Sequence, residues 1–339
     1  MVTIREVAEA AGVSQATAAR ALNGYGSVSA RALERVTESA ARLGYKTNMI
    51  AQALRLGQTR AIGFVPGDIE NPFFAKIARH LGDTLEASGY TLLLSSSDER
   101  PDRERKVVET LRQHMVSGFV VAPTAQDDAP HLAQLVEDGV PLVLIDRRVE
   151  GLRADSVTVN NEGAGFQAVL HLIEHGHRDI AILVDDLQIA SSAERFAGYQ
   201  KALDAHGIRL EPTYIGVGGA SREGAYEAAH RVLTLGHRPT ALFATDNFMT
   251  EGALRALRDL GLRMPADVSI VGFDDFDLTT FVDPAVTVVA QPIAELGQEA
   301  GRLILRRLEG AEDEPHNVNL LAELIIRGSV EAPPASDAA

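Results

Sequence analysis

TIREVAEAAGVSQATAARALNG, Thr3 to Gly24, decides how the rest of this chain is read. Thr3 with Glu6 forms a T-x-x-E capping box, so a helix is expected from about Ile4. Ile4, Val7, Ala8 and Ala11 repeat at i, i+3, i+4 and i+7, the spacing of one buried face. Gly12 ends the helix, because it takes a positive φ without a Cβ clash. Ser14 then caps a second helix, with Val13 and Leu22 turned inward. Two helices of about eight residues joined by a short glycine turn predict a helix-turn-helix. A third helix should follow, capped by Ser29, lined by Leu33, Val36, Ala40 and Leu43, and stopped by Gly44.

In this motif the start of the second helix enters the DNA major groove. Gln15, Ala16 and Arg20 then point at base edges. Glutamine pairs with adenine, arginine with guanine, and an alanine methyl touches the thymine methyl. Thr17 and Lys46 are placed to bind phosphates, which position the protein without reading sequence. The charge distribution agrees. Formal net charge is −15, which taken whole argues against nucleic acid. Residues 1–60, however, hold 8 Lys/Arg against 4 Asp/Glu, while the remainder holds 24 against 43. A basic head precedes an acidic body. A plain helical bundle with a surface arginine would explain any one of these features but not their agreement.

Three stretches, Thr3 to Gly24, VSARALERVTESAARLGYKTN and MIAQALRLGQTRAIGFV, together resemble the LacI/GalR family of bacterial transcriptional regulators. The resemblance runs from residue 2 to about 330; its head and hinge are specific to the family, whereas its body is shared with periplasmic sugar-binding proteins. It implies a DNA-contacting set of Thr3, Ser14, Gln15, Ala16, Thr17, Arg20 and Asn23, with Asn48, Ala51 and Leu54 in the hinge. Ala19 departs from the pattern, in which Ser is common, so a phosphate contact is lost there. Asn48 to Leu56 would form one short helix ended by Gly57, too short to be stable alone. In the family this hinge folds when two copies pair on DNA, and Leu54 would wedge between base steps in the minor groove.

From Ala61 onward, apolar runs alternate with amphipathic helices. The runs AIGFV, YTLLLS, GFVVA, PLVLI, DIAILV, TALFA, VSIVGF and VTVVA read as buried parallel strands. So long a body exceeds one core, and two doubly wound α/β subdomains are expected. The full expectation is an all-α helix-turn-helix headpiece (1–47), a hinge (48–60) and a periplasmic-binding-protein-like body. That body divides into 61–158 with 290–318 and 159–289 with 319–330, and 331–339 forms a disordered tail.

Ligands of such sheets bind beyond the strand carboxyl ends. Those ends carry Asn71, Phe73, Phe74, Asp146, Arg147, Arg195, Thr245, Asp274 and Gln291. Carboxylates accept from hydroxyls, guanidinium donates in a plane, and aromatic faces cover C–H bonds, which suits a polyhydroxylated ring. The resemblance matches these residues to the family's sugar-binding positions, with Thr245 standing where Asn is usual. GVGGASREG lacks the aromatic lid residue of many members. Asp246 and Asp275 read as structural loop caps.

Other chemistries find little support. HLIEH, His171 to His175, fits an H-x-x-E-H zinc pattern but ends its helix without an evident third ligand, so no metal is expected. Gly216 and Gly218 fail the dinucleotide fingerprint, and no phosphate loop or nucleophile elbow occurs, so no cofactor is expected. There is no Cys for disulfides or thiolate sites. Neither a run of ~18 apolar residues nor a signal-peptide core is present, which points to the cytoplasm and away from membranes. The tail has no heptads, so a homodimer is expected rather than a coil-tethered tetramer. The expected partners are operator DNA and a monosaccharide-like effector. The alternative is a cytosolic sugar-binding protein or sugar-processing enzyme with no role on DNA.

Overall fold

The computed structural model describes residues 2–23, 27–45, 59–127 and 129–333. Asn48, Ala51, Leu54, Lys46 and most of the tail lie outside the described residues. The chain divides into two compact units at Arg60.

In the first unit, α1 (Ile4–Ala11), α2 (Gln15–Asn23) and α3 (Ala30–Leu43) form a small bundle. Thr3 and Glu6 cap each other reciprocally, and Gly12 and Gly44 end α1 and α3 at φ 62° and 65°. Val7, Ala8, Ala11, Ala18, Val36 and Ala40 form the core, with Val13, Leu22 and Leu43 packed against it. Leu33 does not join them and stays 44% exposed. Helices of 8 and 9 residues cannot cover the whole length of one of 14, and Leu33 falls in the uncovered first turn.

The second unit carries two six-stranded sheets. The first contains β1 (Ala61–Val65), β2 (Thr91–Leu94), β3 (Gly118–Val121), β4 (Leu142–Asp146), β5 (Asp155–Val159) and β11 (Asn317–Leu320). They lie in the order β11-β5-β4-β3-β1-β2, all parallel. The second contains β6 (Ile180–Val184), β7 (Ile215–Val217), β8 (Ala241–Ala244), β9 (Ser269–Phe273), β10 (Thr287–Ala290) and β12 (Glu323–Ile325). Here the order is β12-β10-β9-β8-β6-β7, with β12 antiparallel to β10.

Apolar clusters cover both faces of each sheet, as near-continuous hydrophobic strands require. The helices on the first sheet are α4 (Pro72–Glu86), α5 (Pro101–Gln113), α6 (Pro130–Glu137) and α12 (Ile293–Leu308). On the second they are α7 (Asn161–Glu174), α8 (Ala190–Ala205), α9 (Arg222–Leu233), α10 (Asn247–Leu260) and the short α11 (Asp277–Phe281). The chain passes between the sheets after β5, after β10 and after β11, so its last crossing follows Leu320.

Four strands escaped the sequence reading: β5, β7, β11 and β12. The most instructive is β5, DSVTV, every residue of which is buried. Its polar groups are satisfied by distant partners. Asp155 receives Arg307 at 2.7 and 2.8 Å, and Ser156 donates to Asn317 at 2.7 Å. One helix pair, α7 and α8, approaches through two glycines. A Cβ at Gly165 of α7 would stand 2.5 Å from the Arg195 carbonyl, and one at Gly198 of α8 would stand 2.2 Å from that of Glu162. That contact is what brings the α8 arginine beside α7.

Candidate functional site

On the headpiece, the first turn of α2 presents Gln15 and Ala16 to solvent. Ser14 accepts the Thr17 amide at 3.1 Å, and the two hydroxyls share a bond of 2.8 Å. Arg20 is half-buried; its Nε donates to the Ala16 carbonyl at 3.3 Å, which lays the guanidinium along the same face. Thr3 is exposed and engaged in its capping box, its amide donating to Glu6 at 2.7 Å. Asn23 closes α2.

In the body, a cavity opens where the carboxyl ends of the two sheets meet. Asn71, Phe73, Phe74, Asp146 and Arg147 line it from the first sheet, and Arg195, Asp274 and Gln291 from the second. Thr245 does not line it. Its side chain is fully buried, and its carbonyl accepts Arg195 at 2.6 Å. The cavity position belongs to Asp246, one residue later, which also caps α10 by accepting the Met249 amide at 2.7 Å. Asp246 therefore lines the cavity as well as capping its helix. Asp275 does act structurally, accepting Thr279 at 3.0 Å and Arg327 at 2.7 Å.

Asp146 and Asp274 are matched across the cavity. Each ends a central strand in left-handed backbone, φ 70° and 68°. A non-glycine residue held there stores strain of about 1 kcal/mol or more, and such positions cluster at binding sites. Arg147 is locked in place, donating to Glu99 at 2.6 and 2.7 Å and to Asp146 at 2.9 Å. Burial would lower its pKa, but the two carboxylates reverse this and keep it charged. Arg195 donates to Asn161 at 2.8 Å and lies 3.7 Å from the Phe273 ring centroid.

Burial pushes the Asp274 carboxyl up to about 6, against the pull of Arg195 and the 2.7 Å bond from Gln291; Asp146 adds to the rise. Asp246 is also raised, by burial first and by Asp185 next. Among the described residues, Thr245 Oγ1, Asn247 Oδ1 and Gln291 Oε1 are buried here without a hydrogen-bond partner.

The cavity is small, about 40 Å³, well below the ~300 Å³ at which ligand pockets usually begin. Direct bonds cross it: Asn247 to Asn71 at 2.7 Å, and Ser191 to Asp146 at 3.4 Å. Others run beside it: Lys76 to the Asp275 carbonyl at 3.1 Å, Gln126 to the Gln188 carbonyl at 3.0 Å, and Arg222 to Glu70 at 3.1 Å. This is a closed cleft, and a ring-sized guest must part some of these pairs to enter.

The sequence reading missed Asp68, Glu99, Asp185, Ser191, Ser192, Ala220 and Phe248, which also line the cavity. Asp185 follows β6 directly, so the strand-end rule applied there would have found it. Ala220 stands in the GVGGASREG segment noted for its missing aromatic. Among the described residues no cluster of ligand-type side chains could hold a metal; the His171 and His175 rings lie 4.4 Å apart, centroid to centroid.

The raised pKa of Asp274 has a measurable consequence. Its folded value lies above the ordinary 3.8, so the folded state holds this proton more tightly than the unfolded chain. Asp274 thus costs stability above about pH 6 and none below about pH 4. Asp274→Asn should melt higher than the parent at about pH 8, by up to ~3 kcal/mol, and the gap should close on acidification. Equal midpoints at the alkaline end, or a gap that widens with acid, would contradict this account.

Residues 3–48 match the family model described as bacterial regulatory proteins, lacI family, and residues 169–330 match that of the periplasmic binding protein-like domain. The HTH-type transcriptional repressor PurR of Yersinia pestis bv. Antiqua is 32% identical over 340 residues, covering 99% of each chain. Among solved structures, the lac repressor dimer bound to operator and the anti-inducer ONPF superposes with a TM-score of 0.86 at 28% identity, covering 98% of this chain and 99% of that one. The transcriptional regulator CelR-cellobiose complex gives 0.73 at 31% identity, covering 97% and 100%. A LacI family regulator from Enterococcus faecium with bound ribose gives 0.72 at 28%, covering 81% and 100%. No helix among the described residues is long and apolar enough to cross a membrane.

Proposed function

Because this chain belongs to the lacI family of bacterial regulatory proteins, we propose that it represses transcription by binding operator DNA under the control of a small hydroxylated effector. One observation carries the reading. The cleft draws its lining from both sheets and is closed by bonds between them, so its occupant must alter how the subdomains approach. A ligand that favours one arrangement shifts the whole molecule toward it.

Residues 1–47 then read DNA. Gln15, Ala16 and Arg20 meet base edges, and Thr3, Ser14, Thr17 and Asn23 meet the backbone. Residues 48–60 connect the reader to the body, with Asn48, Ala51 and Leu54 at the minor groove. Asn71, Phe73, Phe74, Asp146 and Arg147 hold one side of the effector, and Arg195, Asp246, Asp274 and Gln291 the other. The molecule works in the cytoplasm as a regulator rather than an enzyme. Its cleft carboxylates are committed to binding contacts: Glu99 and Asp146 hold Arg147, Asp185 accepts the Ser192 hydroxyl, and Asp246 accepts the Met249 amide.

Two heads on one two-fold site require a dimer. We assign its contact to the face that carries Phe281, which is 82% exposed. Beside it lies a groove of about 820 Å³ lined by the apolar Leu254, Leu262, Met264, Leu278 and Val282 together with the charged Glu251, Arg255, Arg258, Arg263 and Asp283. An apolar patch of this kind marks an interaction surface.

Selection from random duplexes followed by footprinting tests the reading and should return a pseudo-palindrome. On that site Arg20→Ala should weaken binding by roughly 1–3 kcal/mol and relax preference at one base pair per half-site. An unchanged footprint and unchanged base preference would remove Arg20 from the reading set.

A further inference from the structure

The cleft holds more acid than its bases can match. The guanidinium of Arg147 is fully engaged by Glu99, Asp146 and the Pro123 carbonyl. Arg195 is tied to Asn161 and to the Thr245 carbonyl. Asp185 and Asp246 also line the cleft, and their partners are neutral: the Ser192 hydroxyl for one, the Met249 amide for the other. Neither enters an ion pair among the described residues. They lie close enough together for Asp185 to raise the pKa of Asp246.

A second observation is independent of charge. Gln291 Oε1 and Asn247 Oδ1 have no hydrogen-bond partner, on residues only 8% and 2% exposed. Both are acceptors, as carboxylates are. Gln291 lines the cleft, its other amide atom spent on Asp274. Whatever fills this site must donate.

We propose that the effector carries a protonated amine on a hydroxylated carbon skeleton, an amino sugar or amino polyol. The ammonium sits between Asp185 and Asp246, and the hydroxyls donate to Gln291 and Asp274. This rests on the reading of the cleft as an effector site and narrows its ligand. An ammonium supplies the opposite charge that the buried Asp246 and the half-buried Asp185 lack, and the cost of desolvating them is recovered in the pair. A phosphate or carboxylate would instead add like charge where the dielectric is low, and is rejected.

The test is calorimetry on the full chain with matched probes: 2-amino-2-deoxyhexoses, their N-acetyl and parent hexoses, hexose 6-phosphates and hexuronates. At least one amine probe should bind roughly tenfold or more tighter than both its N-acetylated and its parent form, a difference of about 1.4 kcal/mol or more. Asp246→Asn, which keeps an N-cap, and Asp185→Asn, which keeps an acceptor for Ser192, should each erase that preference. Silence from every amine probe, parity with the N-acetyl form, or preference for an anionic probe overturns the proposal, as does an amine preference that survives in both variants.

Operator binding measured with the same probes separates the two readings. Amine binding without any change at the operator overturns the regulatory reading and leaves this one standing. An operator response to neutral sugars alone does the reverse.

Discussion

Asp274→Ala yields a regulator deaf to its effector: binding of the small molecule is lost, while operator affinity in its absence stays within about twofold of the parent. Asp274 accepts the Gln291 amide at 2.7 Å from within the cavity. Truncation removes one acceptor and leaves the Gln291 amide without its partner, a double loss worth a few kcal/mol in a buried site. The headpiece is a separate compact unit with its own core, so its contacts with DNA are untouched. Linkage makes a stricter demand of the parent protein. If effector changes operator affinity by some factor, operator must change effector affinity by the same factor. Calorimetry with and without operator measures both. Identical effector affinities in the two titrations would uncouple the cleft from DNA and sink the mechanism.

A charge at Phe281 should cost the most on DNA. Phe281→Asp places a carboxylate on the face assigned to the dimer contact, where a partner would have to bury it unpaired. Sedimentation should show a monomer at concentrations where the parent is a dimer. Without its tether the second head binds as a separate event, and operator affinity should fall by roughly 10²–10⁴-fold. Because Phe281 is exposed, the monomer should stay folded and keep its effector affinity. A dimer with intact operator binding would move the interface elsewhere.

How far the sequence disclosed all this depends on the kind of signal. Local signals read well. The Thr3–Glu6 box, the glycines at 12 and 44 and the Ser29 cap act within four residues of chain, and each stands in the structure. Strands buried on both faces were legible as apolar runs. β5 was not, because Asp155, Ser156 and Thr158 are made tolerable only by residues some 150 positions away. In the cleft, residue types were legible but one boundary was not. A slip of a single residue at the end of β8 exchanges a buried hydroxyl, Thr245, for a lining carboxylate, Asp246, because successive residues leave a strand on opposite faces. Glu99 was missed because nothing local marks a loop carboxylate as facing a cavity, whereas Asp185, next after Val184, lay within reach of the strand-end rule.

The polar strand β5 also has a meaning during synthesis. Its free edge is covered by β11, and the α4 face carrying Ile77, Leu81 and Thr84 is covered by Gly297 and Gly301 of α12. Both covers are translated after the entire second sheet except β12. At ~5–20 residues per second, the ribosome needs on the order of 10–30 s to travel from Val159 to Leu320. For that interval the first subdomain waits with an open edge and an uncovered helix. An edge bearing an inward carboxylate and two hydroxyls makes a poor template for a neighbouring nascent chain. The residues that hid β5 from the sequence reading are those that guard the unfinished protein on its way out.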